Sequence, residues 1–149
     1  MLKINDKAPD FELKDKDGNK VKLSSFKGKN IILYFYPKDM TPGCTIEACE
    51  FRDNFSKFKN SVIIGVSIND EDSHKKFAAK YKIPFLLLCD IKKEVSNKYE
   101  VYGKKSFMEK KYFGINRTTF IIDKTMKIKY IFENVKPKGH AEEVLEKLE

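Results

Sequence analysis

Two cysteines five residues apart, Cys44 and Cys49, follow a segment interrupted by prolines, and thiols in such a place can do redox chemistry. A strand is predicted at Ile31–Tyr36; it stops at Pro37, and Cys44 opens the helix predicted next. A helix N-terminus carries unpaired N–H groups and about half a positive charge, which favours the nucleophilic thiolate. The alternative is that Cys44 is the first core position of its helix, because free cysteine is often a small buried hydrophobe.

Thr41 is the next candidate for chemistry at this junction, and Arg117 stands out elsewhere in the chain by its rarity. Thr41 lies three residues before Cys44, where its hydroxyl can hydrogen-bond an incoming oxygen. Arg117 is one of two arginines among 30 basic residues. Its guanidinium is a permanent cation with a planar fork of donors that lysine lacks, so its rarity invites a specific explanation. The other arginine, Arg52, is interpreted as part of an exposed helical ion pair, with a supporting role behind the site as the alternative.

Strands and helices alternate along the chain, which predicts an α/β sandwich. Two continuous apolar runs, Ile31–Tyr36 and Val62–Ile68, are typical of strands covered on both faces. The spacing then becomes helical, with one apolar face carrying Cys44, Ala48, Phe51, Phe55 and Phe58. The other predicted elements are hairpin strands at Phe11–Leu13 and Val21–Leu23, helices at about 72–81 and 94–99, strands at Pro84–Leu88, Thr118–Ile122 and Met126–Phe132, a polar loop at 102–116, and a last helix with Ala141, Val144, Leu145 and Leu148 on one face.

Length and charge limit the classes of protein that fit. The 149 residues predict one domain spanning 1–149. The apolar runs are too short to cross a membrane, and Met1–Asp17 lacks the apolar core of a signal peptide, so a cytoplasmic protein is expected. The net charge of +8 comes from lysines interleaved with 22 acidic residues, without a basic block. This distribution indicates a solvated surface, and a lysine-driven nucleic-acid binder is kept as an alternative.

The remaining chemically able side chains are given structural roles. Three cysteines are too few for a disulfide scaffold, and Cys89, at the end of a buried strand, is predicted to belong to the core. His74 and His140 lack metal-ligand spacing and are predicted to be surface or capping residues. No motif for a metal, haem or nucleotide is present, so no cofactor is expected.

The segment around Cys44 resembles a known family. The pattern Pro37-x-x-x-Thr41-x-x-Cys44 is similar to the active-site motif of peroxiredoxins, and the stretch from Phe35 to Cys49 resembles the peroxiredoxin Q subfamily, also called bacterioferritin comigratory protein. Residues 8–11, 103–108 and 114–123 follow in family order, so the resemblance covers essentially the whole chain. It implies a thioredoxin-like fold, with a central mixed β-sheet flanked by helices and an N-terminal β-hairpin extension.

The resemblance also implies roles for individual residues. Cys44 resembles the peroxidatic cysteine, and Thr41 the hydroxyl that positions the peroxide. Pro37 resembles the residue that shields the thiolate from solvent. Glu47 resembles the carboxylate that orients the active-site arginine, and Arg117 resembles that arginine.

Cys49 resembles the resolving cysteine of the subfamily, the alternative being an unpaired helical cysteine. The expected enzyme reduces hydrogen peroxide and alkyl hydroperoxides through a Cys44 sulfenic acid and an intramolecular Cys44–Cys49 disulfide, which a thioredoxin-like protein reduces. No cysteine follows Cys89, so an intersubunit bridge from a C-terminal tail is not expected, and a monomer or weak homodimer is. A general disulfide carrier is the second alternative, but it would show C-x-x-C.

Overall fold

A computed structural model describes the backbone of residues 2–107 and 110–148, and their side chains except those of 104–107 and 110–112. The strands are β1 (Glu12–Asp15), β2 (Lys20–Lys22), β3 (Asn30–Phe35), β4 (Ser61–Ser67), β5 (Leu86–Cys89), β6 (Tyr102–Phe107), β7 (Lys110–Ile115), β8 (Thr118–Ile122) and β9 (Ile128–Phe132). The helices are α1 (Pro42–Asp53), α2 (Glu71–Tyr81), α3 (Glu94–Lys98) and α4 (His140–Leu148), with short 3₁₀ turns at Leu23–Phe26 and Phe55–Lys57.

One mixed sheet organises the molecule. Within the described residues it has seven strands in the order β2-β1-β5-β4-β3-β8-β9. The central strands β3, β4 and β5 are parallel, and β1 and β8 join them antiparallel. The hairpin of β1 and β2 therefore extends the sheet beyond β5, as the sequence predicts for the N-terminal segment. No helix in the described ranges has the length and apolar character needed to span a membrane.

Side chains of the central strand β3 and of the residue after it belong to two hydrophobic cores, one on each face of the sheet. Ile31, Leu33 and Phe35 belong to the core that includes Val95 and Tyr99 at α3. The alternate residues belong to the core formed with α1, α2 and α4, namely Ile32, Tyr34 and Tyr36. All six side chains are at most 1% exposed. Burying each such side chain is worth about 1.5–3 kcal/mol, so burial on both faces holds the strand that leads to Cys44 firmly in the sheet.

Two predicted elements differ from the structure. The helix that contains Cys44 ends at Asp53 and does not reach Phe58. Asn54 ends it by donating both its backbone N–H and its side-chain amide to the Glu50 carbonyl. The predicted polar loop at 102–116 instead contains the antiparallel strands β6 and β7. These two segments are rich in lysine and pair through their backbones, starting with Tyr102 opposite Ile115. Such pairing needs no alternating apolar residues, so the sequence shows no strand pattern there.

Smaller differences concern where strands start. The strand predicted from Pro84 begins at Leu86. The strand predicted from Met126 begins at Ile128, because Met126 has φ of 70° and belongs to the turn. The predicted turn before it is confirmed, since the Asp123 carboxylate accepts the backbone N–H groups of Thr125 and Lys127.

Candidate active site

The sheet register brings Cys44 and Arg117 to the same edge. Strand β3 ends at Phe35, which lies opposite Thr118 at the start of the antiparallel strand β8. The chain leaving β3 enters the loop before α1, while Arg117 immediately precedes β8. Residues 73 positions apart in the sequence therefore meet at one edge of the sheet.

Helix α1 begins two residues earlier than the sequence predicts, so that Cys44 is its third residue and not its first. Thr41 is its N-cap residue and Pro42 its first residue, so no N–H is lost by the proline. The first intrahelical bond runs from the Thr45 N–H to the Thr41 carbonyl. The N–H groups of Gly43 and Cys44 precede that bond and contribute the positive end of the helix dipole. The Cys44 thiol is free and only 1% exposed.

Arg117 connects Cys44 to a buried carboxylate. Its Nη2 donates to Cys44 Sγ at 3.4 Å, and its Nη1 donates to Glu47 Oε1 at 2.8 Å. Burial opposes the charge of the guanidinium, but Glu47 and Cys44 counteract it and raise the pKa of Arg117 above its ordinary value. The guanidinium thus stays a cation and is held against the sulfur by two fixed contacts.

Glu47 is buried more completely than the arginine it holds. Its side chain is inaccessible to solvent, whereas that of Arg117 is 15% exposed. Burial raises the pKa of Glu47 to about 7, and the attraction of Arg117 acts in the opposite direction. One oxygen, Oε2, has no hydrogen-bond partner within the described residues. The carboxyl group therefore restrains the arginine at a considerable desolvation cost.

Gly43 leaves the space through which Arg117 reaches the sulfur. A Cβ atom at this position would lie 3.1 Å from Arg117 Nη2 and 3.3 Å from Pro137 Cγ. Both distances are tighter than ordinary van der Waals contact. The absence of a side chain at the second residue of α1 thus permits the close approach of the guanidinium to the helix N-terminus.

Thr41 presents an oxygen that is free to accept. Its hydroxyl donates to the Lys38 carbonyl at 2.8 Å. Because the hydroxyl proton is engaged in this hydrogen bond, the lone pairs of Thr41 Oγ1 can accept a hydrogen bond from an incoming O–H group. Pro37, at the start of the same loop, is half-buried. The shielding role implied for Pro37 stays a prediction.

Cys49 lies on the same helix as Cys44 and is a free, half-buried thiol. Burial raises the pKa of the Cys49 thiol, while Arg52 acts in the opposite direction. Arg52 pairs with Asp53 at 3.0 Å, as predicted, and also donates to the Tyr81 carbonyl at 2.7 Å. It therefore ties the C-terminal end of α1 to the end of α2. The core position predicted for Cys89 is confirmed, since this residue is 6% exposed.

The prediction for the two histidines is wrong in placing them at the surface. His74 is 0% and His140 1% exposed, and each lies against the core that carries α1. His74 pairs with Asp39, a residue of the loop before α1 to which the sequence analysis assigned no role. The pairing joins residues 35 positions apart, and no spacing rule in the sequence indicates it. The only signal was the position of Asp39 between Pro37 and Thr41.

The described residues include no cluster of three or more histidine, cysteine or acidic side chains placed to hold a metal ion. The groups gathered around Cys44 are instead a thiol, a cation, a buried carboxyl group and a hydroxyl. Such a set can stabilise a thiolate. It can also stabilise the negative charge that develops on a group displaced when the thiolate attacks.

Comparisons with known proteins match nearly the whole chain. The model of the AhpC/TSA family matches residues 4–131. The chain is 48% identical to peroxiredoxin Bcp of Bacillus subtilis, over 99% of this chain and 95% of that protein. It is 42% identical to peroxiredoxin Bcp of Escherichia coli, over 97% of this chain and 94% of that protein.

Solved structures resemble the fold closely. A cysteine-to-serine mutant of Xylella fastidiosa PrxQ superimposes with a TM-score of 0.94 at 34% identity, over 99% of this chain and 96% of that one. The bacterioferritin comigratory protein of Xanthomonas campestris, whose structures address alkyl peroxide reduction, superimposes with a TM-score of 0.88 at 32% identity, over 93% of this chain and 89% of that one. These matches confirm the expected thioredoxin-like fold.

Proposed function

The chain belongs to the AhpC/TSA family and is a peroxiredoxin, an enzyme that reduces peroxides, and we propose that Cys44 is the thiol that attacks the peroxide. The contact of Arg117 with both Cys44 Sγ and Glu47 carries this proposal. Together with the N-terminus of α1, it puts positive charge where a thiolate and a departing oxygen require it.

The first half of the reaction forms an S–O bond and breaks the O–O bond. The Cys44 thiolate attacks one peroxide oxygen and becomes a sulfenic acid, while the other oxygen leaves and takes a proton to give water or an alcohol. The sulfur is oxidised and the peroxide reduced. Thr41 Oγ1 accepts the peroxide O–H, and Arg117 stabilises charge on the leaving oxygen. Glu47 keeps Arg117 in place, and Pro37 limits the access of water.

The second half joins Cys44 and Cys49. The Cys49 sulfur attacks the sulfenic sulfur, an S–S bond forms, and water leaves. On a regular helix, Cα atoms five residues apart are about 8–9 Å from each other, beyond the ~7 Å limit for an unstrained disulfide. Helix α1 contains both cysteines, so its first turns must unwind before the bond can form. Unwinding also exposes Cys49 and removes the burial that raises the pKa of its thiol.

The partners follow from this cycle. The substrates are hydrogen peroxide and alkyl hydroperoxides, and a thioredoxin-type dithiol protein reduces the Cys44–Cys49 disulfide to complete the cycle. The enzyme works in the cytoplasm as a monomer or weak homodimer, without a metal or organic cofactor, and does not act on nucleic acid. The close relationship to the Bcp proteins supports this assignment.

Replacing single cysteines tests the nucleophile. Cys44→Ser should abolish peroxide consumption in a stopped-flow assay with hydrogen peroxide, because a serine hydroxyl is not appreciably ionised. Cys89→Ser is the matched control, and it should keep the wild-type rate. If Cys89→Ser loses activity while Cys44→Ser retains it, the assignment is wrong.

Hydrogen exchange tests the unwinding of α1. The protein oxidised with one equivalent of peroxide should show lower amide protection across Thr45–Arg52 than the reduced protein, with the Cys44–Cys49 bond verified by mass spectrometry. Cys49→Ser should stop at the sulfenic acid and keep the helix protected. Equal protection in the reduced and disulfide forms would contradict the proposed resolution step.

A further inference from the structure

A buried polar cluster lies behind the loop that leads into α1, and the peroxidase chemistry described so far does not use it. Its centre is Asp39, which is 3% exposed. The Asp39 carboxylate accepts hydrogen bonds from Tyr36 Oη at 2.5 Å and from Ser73 Oγ at 2.8 Å, and it lies 2.6 Å from His74 Nδ1. Its backbone N–H donates to Asn69 Oδ1 at 3.0 Å. Every polar group of the residue that faces inward is thereby engaged.

The surroundings of His74 establish its charge. Nδ1 faces the Asp39 carboxylate, and Nε2 lies 2.8 Å from the Leu88 carbonyl oxygen, which can only accept. Both ring nitrogens must therefore donate, and the ring is an imidazolium. Burial alone would lower the pKa of His74, but its hydrogen bonds, chiefly to Asp39, raise it to about 10. Asp39 and His74 thus form a buried ion pair that joins the loop to α2.

This ion pair is attached to the turn that orients Thr41. Asp39 lies between Lys38, whose carbonyl accepts the Thr41 hydroxyl, and Met40, whose φ is 67°. The left-handed conformation is unfavourable for a residue other than glycine. The side chains of Lys38 and Met40 are exposed, so the side chain of Asp39 is what anchors this turn in the protein interior.

We propose that Asp39, held by His74, Tyr36 and Ser73, is a positioning residue for peroxide reduction. It fixes the Lys38–Thr41 turn, so that the Thr41 proton stays on the Lys38 carbonyl and the Thr41 oxygen faces the peroxide. The inference rests on the role of Thr41 in the proposed function. It predicts that Asp39 governs the reaction with peroxides specifically, because only a substrate with an O–H group needs the Thr41 acceptor.

The test compares two reactions of Cys44 in the same variants. Oxidation by hydrogen peroxide is followed by stopped flow, and alkylation by iodoacetamide, which has no hydroperoxide O–H to orient, is followed by mass spectrometry at Cys44. Asp39→Asn should slow oxidation about tenfold to a hundredfold, since a misplacement of about 1 Å can cost that much. Its alkylation should stay within about threefold of wild type, because neither the helix N-terminus nor Arg117 is altered.

Asp90 offers a matched control. It is 1% exposed, and its carboxylate accepts three hydrogen bonds, from the backbone N–H groups of Val95 and Ser96 and from Ser96 Oγ. Asp90→Asn disturbs a buried carboxylate of similar connectivity, but one that bonds α3, whose Val95 belongs to the core on the opposite face of the sheet from α1 and α2. Both Cys44 reactions should keep their wild-type rates in this variant. A slowed oxidation there would mean that general loosening, and not the turn, explains the effect at Asp39.

A double-mutant cycle decides whether Asp39 acts through Thr41. Thr41→Val alone should slow oxidation, and adding Asp39→Asn to it should cost less than about a further twofold. Equal losses from Asp39→Asn with and without Thr41→Val would overturn the inference while leaving the role of Thr41 intact. A wild-type rate in Thr41→Val would instead refute the role of Thr41 itself. If Asp39→Asn does not fold, Ser73→Ala, which removes one donor only, should show a smaller loss with the same suppression.

Discussion

His74 and His140 are equally buried on the same side of the sheet, but they differ in charge. Both ring nitrogens of His74 face acceptors, the Asp39 carboxylate and the Leu88 carbonyl. The His140 ring has one hydrogen-bond partner among the described residues, the Thr119 hydroxyl at 2.7 Å from Nε2, and its Nδ1 makes no hydrogen bond there.

The contrast shows that acceptors decide the charge of a buried histidine. Burial acts on both rings in the same direction, against the cation. His140 packs edge-on against Phe51 and Phe132, and burial together with the positive charge of Arg117 lowers its pKa to about 4. His74 has a carboxylate at 2.6 Å, and its pKa is raised to about 10. One histidine is thus a structural cation, and the other is a neutral ring in an aromatic core.

Removing the charged ring should have the largest effect. His74→Leu leaves the Asp39 carboxylate buried without its counter-ion, so the free energy of unfolding at pH 7 should fall by about 3–5 kcal/mol. Urea titration followed by circular dichroism measures this loss. Combining His74→Leu with Asp39→Asn should recover part of it, because the unpaired charge is then removed. A loss below about 1 kcal/mol in the single variant would show that the two groups are not a charged pair.

The two rings should give stability opposite dependences on pH. The folded state holds an extra proton on His74 between the ordinary pKa of 6.5 and about 10. The contribution of His74 to the free energy of unfolding is complete below pH 6.5. It falls as the pH rises, by up to about 1.4 kcal/mol per pH unit. Between pH 6.5 and about 4, His140 is protonated in the unfolded state but neutral in the folded state. Its contribution is complete above pH 6.5, and about 3 kcal/mol is lost as the pH falls.

Urea titrations from pH 4 to 10 on wild type and single variants separate these contributions. His74→Leu should flatten the alkaline limb, and His140→Leu the acidic limb. The comparison of variants is needed because Glu47, with its pKa raised to about 7, destabilises the protein as the pH rises from 4.5 and so partly masks His140. If His140→Leu leaves the acidic limb as steep as in wild type, the ring is not neutral in the folded state.

Removing the neutral ring should cost less than removing the charged one. His140→Leu keeps the volume in contact with Phe51 and Phe132 but leaves the Thr119 hydroxyl without its partner, a loss of about 1–2 kcal/mol at pH 7. Adding Thr119→Val should restore part of the stability, because it removes the unpaired hydroxyl. An effect equal to that of His74→Leu would contradict the difference in charge.

The smallest effect is expected at the carboxylate beside the neutral ring. Glu143 Oε1 lies 3.6 Å from His140 Nδ1 and is more than half exposed. A neutral ring gives this contact little electrostatic energy, so Glu143→Gln should change the free energy of unfolding at pH 7 by less than about 0.5 kcal/mol. A double-mutant cycle with His140→Leu measures the coupling, and a value above 1 kcal/mol would indicate a protonated ring.

The histidines also mark what the sequence can and cannot reveal. Thr41 could be singled out because it lies three residues before Cys44, whereas Glu47 and Arg117 were assigned through the resemblance to peroxiredoxins, and Arg117 lies 73 positions from Cys44. Strand β3 was predictable because a continuous apolar run allows few alternatives. The charge of His74 depends instead on Asp39 and Leu88, which reach it through the packing of α2 on the sheet. Contacts of that kind have no periodicity along the chain.

The errors in the elements have a similar origin. The apolar spacing continues through Phe55 and Phe58 although α1 ends at Asp53, because the 3₁₀ turn that follows keeps Phe58 facing the core. The pattern predicted the burial of Phe58 correctly, but Phe55 is 42% exposed, and the backbone that brings Phe58 to the core is not helical. In the hairpin of β6 and β7, the backbone pairs without an apolar pattern that could reveal it.

At Gly43, the stability of helix α1 and the space needed by Arg117 favour different residues. Alanine at a helical position is favoured over glycine by about 0.5–1 kcal/mol, so Gly43→Ala should strengthen α1 if the helix alone is considered. The added methyl group would lie 3.1 Å from Arg117 Nη2 and 3.3 Å from Pro137 Cγ, so these neighbours would have to shift by a few tenths of an ångström. Methods that rank substitutions by helix propensity would therefore recommend a change that crowds the contact between Arg117 and Cys44. Glycine at this position thus gives up helix propensity and leaves room for the guanidinium beside the sulfur.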